Sequence, residues 1–261
     1  LFRSVKADGA IKNFKYNAKN PHSLSSNFVR ACCEDNLGNI WIGTFNGLNR
    51  YNKITGLFQN HTANDTQADG LTHSSIWCIV KDNQGTLWLG TYFGGVNYFN
   101  PEYEIYTRYS YSSNEKKGLS NPVVGRTIED KDGNLWIGTE GGGLNYYNRR
   151  TREFKWYRPQ EGRNSISHNN VKALYYDADK EIIWIGTHLG GLNKLDIRSG
   201  HFTHYRMEEG NPNTLPSDII RDIIPYKSLL IIATQNGVCL FDPANGQCQQ
   251  QIGRASCRER V

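Results

Sequence analysis

The tetrapeptide Trp-[Ile/Leu]-Gly-Thr recurs along this chain at a nearly constant interval. Its tryptophans stand at positions 41, 88, 136 and 184, and a degenerate copy with Ile in place of Trp begins at position 231. The successive intervals are therefore 47, 48, 48 and 47 residues. Periods of about 20 to 50 residues are typical of repeat architectures, in which each unit buries its apolar surface against its neighbours. This repeat constrains the fold more than any other feature of the sequence.

Each unit divides into four short strand candidates. In the second unit these are Ile76–Lys81, Thr86–Thr91, Val96–Asn100 and Glu104–Tyr109. The segments between them are rich in Asp, Asn and Gly, which tolerate positive φ and predict tight hairpin turns. No segment has a helical period, and a β-sandwich would not require so regular a repeat. Four antiparallel strands in every 40 to 50 residues therefore predict an all-β chain, a β-propeller made of four-stranded blades.

About five blades are expected, in a partial ring. The predicted complete blades cover residues 24–64, 71–112, 119–160 and 166–208, a degenerate fifth covers 215–251, and residues 1–18 supply the last two strands of an earlier blade. A propeller closes by completing one sheet with strands from both termini, and these two ends do not complement each other. The sequence therefore predicts a piece of a larger propeller. Residues 252–261, IGRASCRERV, lack strand alternation and are interpreted as an appended foreign sequence or a disordered basic tail.

Composition excludes several classes of function. The formal net charge is +5, but residues 252–261 contribute +2 of it and the remaining Lys and Arg are scattered, whereas nucleic-acid binding requires a clustered basic face. No run of about 18 apolar residues predicts a membrane span, and no signal peptide is visible. The six cysteines show neither CxxC nor a metal-ligand spacing, so they are interpreted as small buried hydrophobic residues rather than a disulfide framework or a zinc site.

Three consecutive glycines, Gly141-Gly142-Gly143, suggest a phosphate-binding loop at first sight. However, Gly94-Gly95 and Gly190-Gly191 occupy the same place in neighbouring units, and a further strand follows each time. A nucleotide-binding loop would occur once and would precede a helix. The glycines therefore predict a structural turn with positive φ, and no cofactor is expected.

Beyond the tetrapeptide, four segments share the pattern Asp-x-x-Gly-Asn-[Leu/Ile]-Trp-Ile-Gly-Thr-x-x-Gly-Gly-Leu-Asn-x-Tyr. They are residues 34–52, 81–100, 129–148 and 181–196. These segments resemble the two-component regulator propeller repeats of hybrid two-component sensors. The resemblance implies a periplasmic sensor domain, built in that family from a pair of seven-bladed propellers, which detects oligosaccharides and signals to a membrane histidine kinase. It also implies that this chain is not itself an enzyme, and that its partners are the rest of the kinase and a second copy of the sensor.

Candidate binding residues follow from blade geometry. The loop that enters strand one and the turn between strands two and three are expected to emerge on the same face. Sugar rings stack on aromatic faces while their hydroxyl groups take polar partners. We therefore predict an oligosaccharide site in which Trp77, Tyr92 and Phe93 form the stacking platform. The predicted polar contacts are Arg126, Glu140 and His188.

Two other classes of function stay open. A propeller lyase or glycoside hydrolase would need a catalytic set, for which the sequence offers His73, His168 and His188 as metal ligands, or Glu140 and Asp218 as an acid–base pair. No local spacing supports either set. The acidic residues at 35, 82, 130 and 177 recur in turns and are interpreted as turn formers. A protein-interaction scaffold would instead present an exposed apolar groove.

Overall fold

A computed structural model describes residues 2–5, 11–63, 70–101 and 105–252. These residues form 22 β-strands and one short 3₁₀ helix, Glu115–Lys117. The predicted all-β class is therefore confirmed. Among the described residues, no helix has the length and apolar character needed to cross a membrane.

The strands form five four-stranded antiparallel sheets and one two-stranded ladder. The ladder pairs β1 (Phe2–Val5) with β2 (Ile11–Phe14). The first sheet comprises β3 (Val29–Glu34), β4 (Ile40–Thr44), β5 (Gly47–Tyr51) and β6 (Phe58–His61). The second comprises β7 (Ile76–Lys81), β8 (Leu87–Thr91), β9 (Val96–Asn100) and β10 (Ile105–Tyr109).

Three more sheets follow with the same connectivity. The third comprises β11 (Val124–Glu129), β12 (Leu135–Thr139), β13 (Leu144–Asn148) and β14 (Glu153–Tyr157). The fourth comprises β15 (Val171–Asp177), β16 (Ile182–Thr187), β17 (Leu192–Asp196) and β18 (Phe202–Tyr205). The fifth comprises β19 (Ile220–Tyr226), β20 (Leu229–Thr234), β21 (Gly237–Asp242) and β22 (Gln247–Ile252). In every sheet the strands lie side by side in chain order, which is the meander of a propeller blade.

The chain divides into two compact units, Leu1–Thr127 and Ile128–Val261, with the division inside β11. The predicted blade boundaries stay a prediction. The fifth sheet keeps all four strands although Ile231 and Ala233 replace the Trp and Gly of the repeat. Its last strand reaches Ile252, the first residue of the predicted tail. Residues 253–261 of that tail lie outside the described residues.

The repeated tryptophans pack between consecutive sheets. Trp41 of the first sheet is fully buried and meets Phe99 of the second sheet edge to face, with 5.1 Å between the ring centroids. In the second compact unit, Ile128–Val261, Trp184 meets Phe241 of the fifth sheet in the same way at 5.5 Å. Each pair adds an edge-to-face aromatic contact to the burial of its apolar surface, so the rings fix one sheet against the next.

The glycine of the tetrapeptide allows this close packing. A Cβ atom at Gly138 would lie 2.5 Å from Cγ1 of Val171, in the first strand of the next sheet. The same clash would occur at Gly90, 2.6 Å from Cγ1 of Val124, and at Gly186, 2.4 Å from Cγ2 of Ile220. The sequence suggests that a backbone or an aromatic ring approaches this glycine. The structure shows instead a β-branched side chain of the following sheet.

Buried polar side chains of the repeat hold the strands in register. Asn49, Asn97, Asn145 and Asn193 are fully buried in the third strand of four sheets. The Oδ1 atom of Asn49 accepts the backbone N–H of Ser25 at 2.7 Å, and its Nδ2 atom donates to the Ile42 carbonyl at 3.1 Å. Asn193 makes the equivalent bonds to the Ser167 N–H and the Ile185 carbonyl. These amides therefore serve the fold and are withdrawn from ligand contact.

Candidate functional site

One end of each sheet carries both the entry loop and the turn between strands two and three. Backbone hydrogen bonds join the two: Tyr92 N–H donates to the Ser75 carbonyl at 3.0 Å, and Gln235 N–H donates to the Ile219 carbonyl at 2.9 Å. The expectation that the two segments share a face is therefore met in these sheets. This end, which we call the variable rim, holds the predicted site residues Trp77, Tyr92, Phe93, Glu140 and His188.

A β-bulge at the start of the first strand shapes the variable rim. The ladder register shifts between Val29 and Ala31, between Ile76 and Cys78, between Val171 and Ala173, and between Ile220 and Asp222. The extra residue of each bulge is Arg30, Trp77, Lys172 or Arg221, in that order. Bulges re-aim a side chain and are common next to functional sites. Three of these four positions place a cation at the rim, and the fourth places a tryptophan.

In the first compact unit, Leu1–Thr127, the bulge residues of the first and second sheets build an aromatic stack. The Arg30 guanidinium lies 4.0 Å from the Trp77 ring centroid, a cation–π distance. Trp77 and Tyr92 are stacked with 5.4 Å between centroids and 12° between planes. Phe93 meets Tyr92 edge to face at 4.3 Å, and His73 lies 6.2 Å from Phe93. The structure thus brings together all three members of the predicted stacking platform.

The outer edge of this stack is apolar and accessible. Phe93 is 58% exposed, and in the first sheet the rim residues Phe28 and Phe45 are 73% and 55% exposed. Phe45 N–H donates to the Phe28 carbonyl at 3.0 Å, so these two aromatic residues are neighbours. Sequence analysis did not single out Phe28. The sequence feature that could have revealed Phe28 is its position between the entry loop and the first strand. The other repeats have Ser75, Val123, Asn170 and Ile219 at this position.

In the second unit the rim is polar. Glu140, in the turn of the third sheet, forms an ion pair with Lys172, the bulge residue of the fourth sheet, and both side chains are about three-quarters buried. Arg221 Nη2 donates to Oε1 of Gln235 at 3.3 Å within the fifth sheet. The predicted polar contact Glu140 therefore already has a cationic partner, and a ligand would meet the pair rather than an isolated carboxylate.

A second polar group of this unit surrounds His188. The His168 and His188 rings lie 6.5 Å apart, and Nδ1 of His188 is buried with no hydrogen-bond partner among the described residues. Leu189 is 56% exposed at φ 75°, a left-handed conformation that strains a side-chain-bearing residue. Arg206 lies 3.5 Å from the Leu189 carbonyl and 3.6 Å from the Asp218 carboxylate. This turn therefore combines a strained backbone position with a buried ring nitrogen that has no partner among the described residues.

Two histidines considered as metal ligands have a structural role. Nδ1 of His73 accepts the Ser75 N–H, and Nδ1 of His168 accepts the Asn170 N–H, each at 3.0 Å. In the other sheets Ser26, Asn121 and Ser217 make the same bond to the residue two positions ahead. Among the described residues no group of three or more His, Cys, Asp or Glu side chains could hold a metal ion.

Burial is the main cause that lowers the pKa of His168, and the neighbouring charges of His188 and Arg206 add to it. Desolvation disfavours the imidazolium ion, and like charges do the same. The ring is therefore held neutral to lower pH than an exposed histidine would be.

The remaining predicted residue, Arg126, lies one position after the residue that aligns with the bulge residues of the other sheets. It follows Gly125 in β11, at the place where other sheets have Ala31, Cys78 and Ala173. Arg126 is half-buried, and its charge acts on the Cys78 thiol. The structure does not place it among the rim residues of the aromatic stack.

A cavity of about 490 Å³ opens elsewhere on the first unit. It lies along the outer strands of the first sheet and is lined by His22, Arg50, Leu57, Phe58 and Gln59, among others. None of the predicted site residues lines it. This cavity and the variable rim are therefore different surfaces.

The repeat itself identifies the chain's relatives. Residues 23–46, 70–93, 118–141 and 165–188 each match the two-component regulator propeller family. The chain carries four two-component regulator propeller repeats. Each matched span runs from the entry loop to the turn after strand two, so it contains the start of the first strand and the first residue of the rim turn. No curated protein sequence matches the chain.

Solved structures show the same fold. The extracellular domain of a protein assigned as a hybrid two-component system of B. thetaiotaomicron is similar with a TM-score of 0.74 and 21% identity, over 86% of this chain and 30% of that chain. PorZ, a surface component of the Porphyromonas gingivalis type-IX secretion system, gives a TM-score of 0.63 and 19% identity, over 85% of this chain and 33% of that one. The propeller repeats of this chain thus span about a third of the length of these two proteins.

An enzyme also shares the fold. Virginiamycin B lyase of Staphylococcus aureus is similar with a TM-score of 0.67 and 13% identity, over 97% of this chain and 77% of that chain. At such identities the likeness concerns the fold alone. The propeller architecture therefore does not distinguish a sensor from a lyase, and the argument about function depends on the variable rim.

Proposed function

We propose that this chain is a ligand-binding part of an extracytoplasmic propeller sensor, and that its ligand is an oligosaccharide whose binding is signalled to a histidine kinase. The observation that carries the proposal is the stack of Arg30, Trp77 and Tyr92 at the variable rim, edged by the exposed ring of Phe93. An exposed aromatic edge beside hydrogen-bonding side chains suits a sugar ring. The four propeller repeats support the sensor context, since the family that they match is named for two-component regulators.

The aromatic stack is pre-organised, which favours binding. Arg30 and Tyr92 both pack against the Trp77 ring, so little side-chain entropy is lost when a ligand arrives. A sugar would contact the exposed Phe93 face and the edges of the stack rather than insert between its rings. The extracytoplasmic location and the kinase are part of the same proposal, because the extracellular domain named above shares the fold.

Calorimetric titration of the chain against a panel of neutral and acidic oligosaccharides tests the proposal. We expect saturable binding of at least one glycan, weakened on the order of tenfold by W77A or F93A. Trp156 provides a control in another sheet, because the Arg158 guanidinium stacks on it at 4.4 Å but it lies in the fourth strand of the third sheet and belongs neither to a bulge nor to a rim turn. The variant W156A should keep wild-type affinity. Equal weakening by W77A and W156A, or no binding of any glycan, would contradict the proposal.

A lyase or glycoside hydrolase is the second candidate, and the similarity to virginiamycin B lyase favours testing it. Such an enzyme would consume its ligand. Mass spectrometry of the titrated oligosaccharides after prolonged incubation detects cleavage directly. New products whose formation is lost in H188A would support the enzyme and contradict the sensor.

A further inference from the structure

The third and fourth strands of the fifth sheet bring two cysteines together. Cys239 lies in β21 and Cys248 in β22, and their Sγ atoms are 2.9 Å apart. Cys248 pairs in register with Phe241, two residues from Cys239, so both cysteines lie on the same face of the sheet. A register shift between Leu240 and Phe241 accompanies this diagonal contact. The two side chains are therefore positioned as cross-strand neighbours.

The surroundings of this pair suit a disulfide. Cys239 is fully buried and Cys248 is 2% exposed, within the apolar core that contains Ile232, Phe241 and Trp184. A disulfide is apolar and needs no hydrogen-bond partner there. The Cys239 thiol can donate to the Cys248 thiolate, which lowers the pKa of Cys248, whereas burial raises it. In the reduced folded chain, the two cysteines are therefore joined by one sulfur–sulfur hydrogen bond.

We propose that Cys239 and Cys248 form a structural disulfide that ties β22 to β21 when the chain meets a disulfide-donating oxidant. The thiolate of one cysteine attacks one sulfur of a glutathione-type disulfide and releases a glutathione thiolate. The thiolate of the other cysteine then displaces the second glutathione from the mixed disulfide. The two cysteines lose two electrons and two protons, and the oxidant becomes two thiols. Because both cysteines are buried in the folded chain, the exchange takes place during folding.

The remaining described cysteines lack this arrangement. Cys32 and Cys33 are consecutive in β3, so their side chains point to opposite faces, and Cys78 is buried beside Thr127. The sequence interpretation of the cysteines as small buried hydrophobic residues fits Cys78, Cys239 and Cys248 but is wrong for Cys32, which is exposed. The spacing of nine residues within the proposed pair has no recognisable motif, which is why the sequence alone does not reveal the pair.

Peptide mapping tests the proposal on the full chain refolded in a glutathione redox buffer. Trypsin releases residues 228–254 as one peptide, which contains Cys239 and Cys248 and no other cysteine. After alkylation under denaturing conditions we expect this peptide to carry no alkyl group and to weigh about 2 Da less than its reduced form. Reduction before alkylation should add two alkyl groups. A peptide that carries two alkyl groups without prior reduction, or one joined to another cysteine peptide, would overturn the proposal.

Thermal unfolding gives a second readout. The disulfide should raise Tm of the oxidised chain on the order of 5–10 °C above that of the reduced chain. The variants C239S and C248S should lose this difference, while C32S/C33S, a matched control in the first sheet, should keep it. An oxidation-dependent Tm shift that persists in C239S would contradict the assignment.

Discussion

At the scale of single residues, the repeated positions hold the fold and the variable positions face solvent at the rim. The Nε1 atom of Trp41 donates to Oδ2 of Asp35 at 2.7 Å, while Oδ1 of the same carboxylate accepts the N–H groups of Leu37 and Asn39. Asp82 and Asp130 bind Trp88 and Trp136 in the same manner. These acidic residues are turn formers, as the sequence predicts, and in addition they satisfy a buried indole.

The fourth sheet departs from this pattern. Asp177 precedes Trp184 by seven residues, one more than in the other units, and its turn contains Glu181 at φ 53° where the others have a glycine. Trp184 Nε1 is buried and has no hydrogen-bond partner among the described residues. The extra residue therefore separates carboxylate and indole, and the shared spacing of the motif is what makes the bond possible.

Replacing Asp35 by Asn removes the acceptor of the indole while keeping the shape of the side chain. The amide group can still accept from the turn, but it presents a donor to Trp41 or to Asn39. We expect D35N to lower the free energy of unfolding by about 1–3 kcal/mol, the cost of an unsatisfied buried polar group. Denaturant titration measures it.

The control for this prediction is D177N, which has no indole to leave unpaired and should change stability far less. Burial disfavours the Asp35 carboxylate, but hydrogen bonds from Asn39 and Trp41 outweigh it and hold its pKa below the ordinary value of 3.8. The difference between D35N and wild type should therefore persist above that pH and shrink as the pH falls through the lowered pKa. Equal effects of the two variants at neutral pH would refute the role given to Asp35.

His168 makes the stability of its rim turn depend on pH. Its pKa is lowered in the folded chain, so below the ordinary value of 6.5 the unfolded chain binds a proton that the folded chain does not. Stability therefore falls as the pH drops through 6.5 and levels off below the lowered pKa. The variant H168N keeps an acceptor for the Asn170 N–H and should lose less stability between pH 7.5 and 5.5, measured by thermal unfolding. The exposed His201 serves as control, and H201N should follow the wild-type pH profile.

At the scale of strands and sheets, close packing comes from a glycine and variation comes from a bulge. Gly138 leaves room for Val171 of the next sheet, and Gly143 N–H donates to the Asn169 carbonyl of the following entry loop at 2.7 Å. The bulge then turns the next residue, Lys172, toward the rim. Val171 and Lys172 are thus consecutive in one strand but have different roles. Val171 packs against the glycine of the preceding sheet, and Lys172 is the bulge residue that faces the rim.

Adding a methyl group at Gly138 should disturb the contact between the third and fourth sheets. The new Cβ atom would lie 2.5 Å from Cγ1 of Val171. We expect G138A to reduce the free energy of unfolding by about 1–3 kcal/mol through overpacking.

A double-mutant cycle isolates the cause of that loss. V171A removes the clashing methyl group and has a cavity cost of its own, but G138A/V171A should be less destabilised than the sum of the two single variants. Additive losses would place the effect of G138A elsewhere.

At the scale of the whole chain, the repeat predicts topology well and side-chain pairing poorly. Periodicity and turn residues were sufficient for the number of sheets, the strand order and the shared position of Trp77, Tyr92 and Phe93. They could not reveal that Glu140 pairs with Lys172, because that partner lies 32 residues away on the next sheet. Nor could they reveal the bulge, since a register shift depends on two strands at once.

The hydrogen bond from each rim-turn glycine to the next entry loop also bears on how such chains change in length. In four sheets the donor is Gly47, Gly95, Gly143 or Gly191, and the acceptor is Ser74, Pro122, Asn169 or Asp218. At each of these four contacts, one sheet supplies its rim turn, which we call its leading side. The next sheet supplies its entry loop, which we call its trailing side. A duplication or deletion of 47 or 48 codons would join a leading side to a trailing side again and leave every such bond intact. Recombination between repeats can thus exchange the rim residues of a whole sheet while the contacts between neighbouring sheets stay the same.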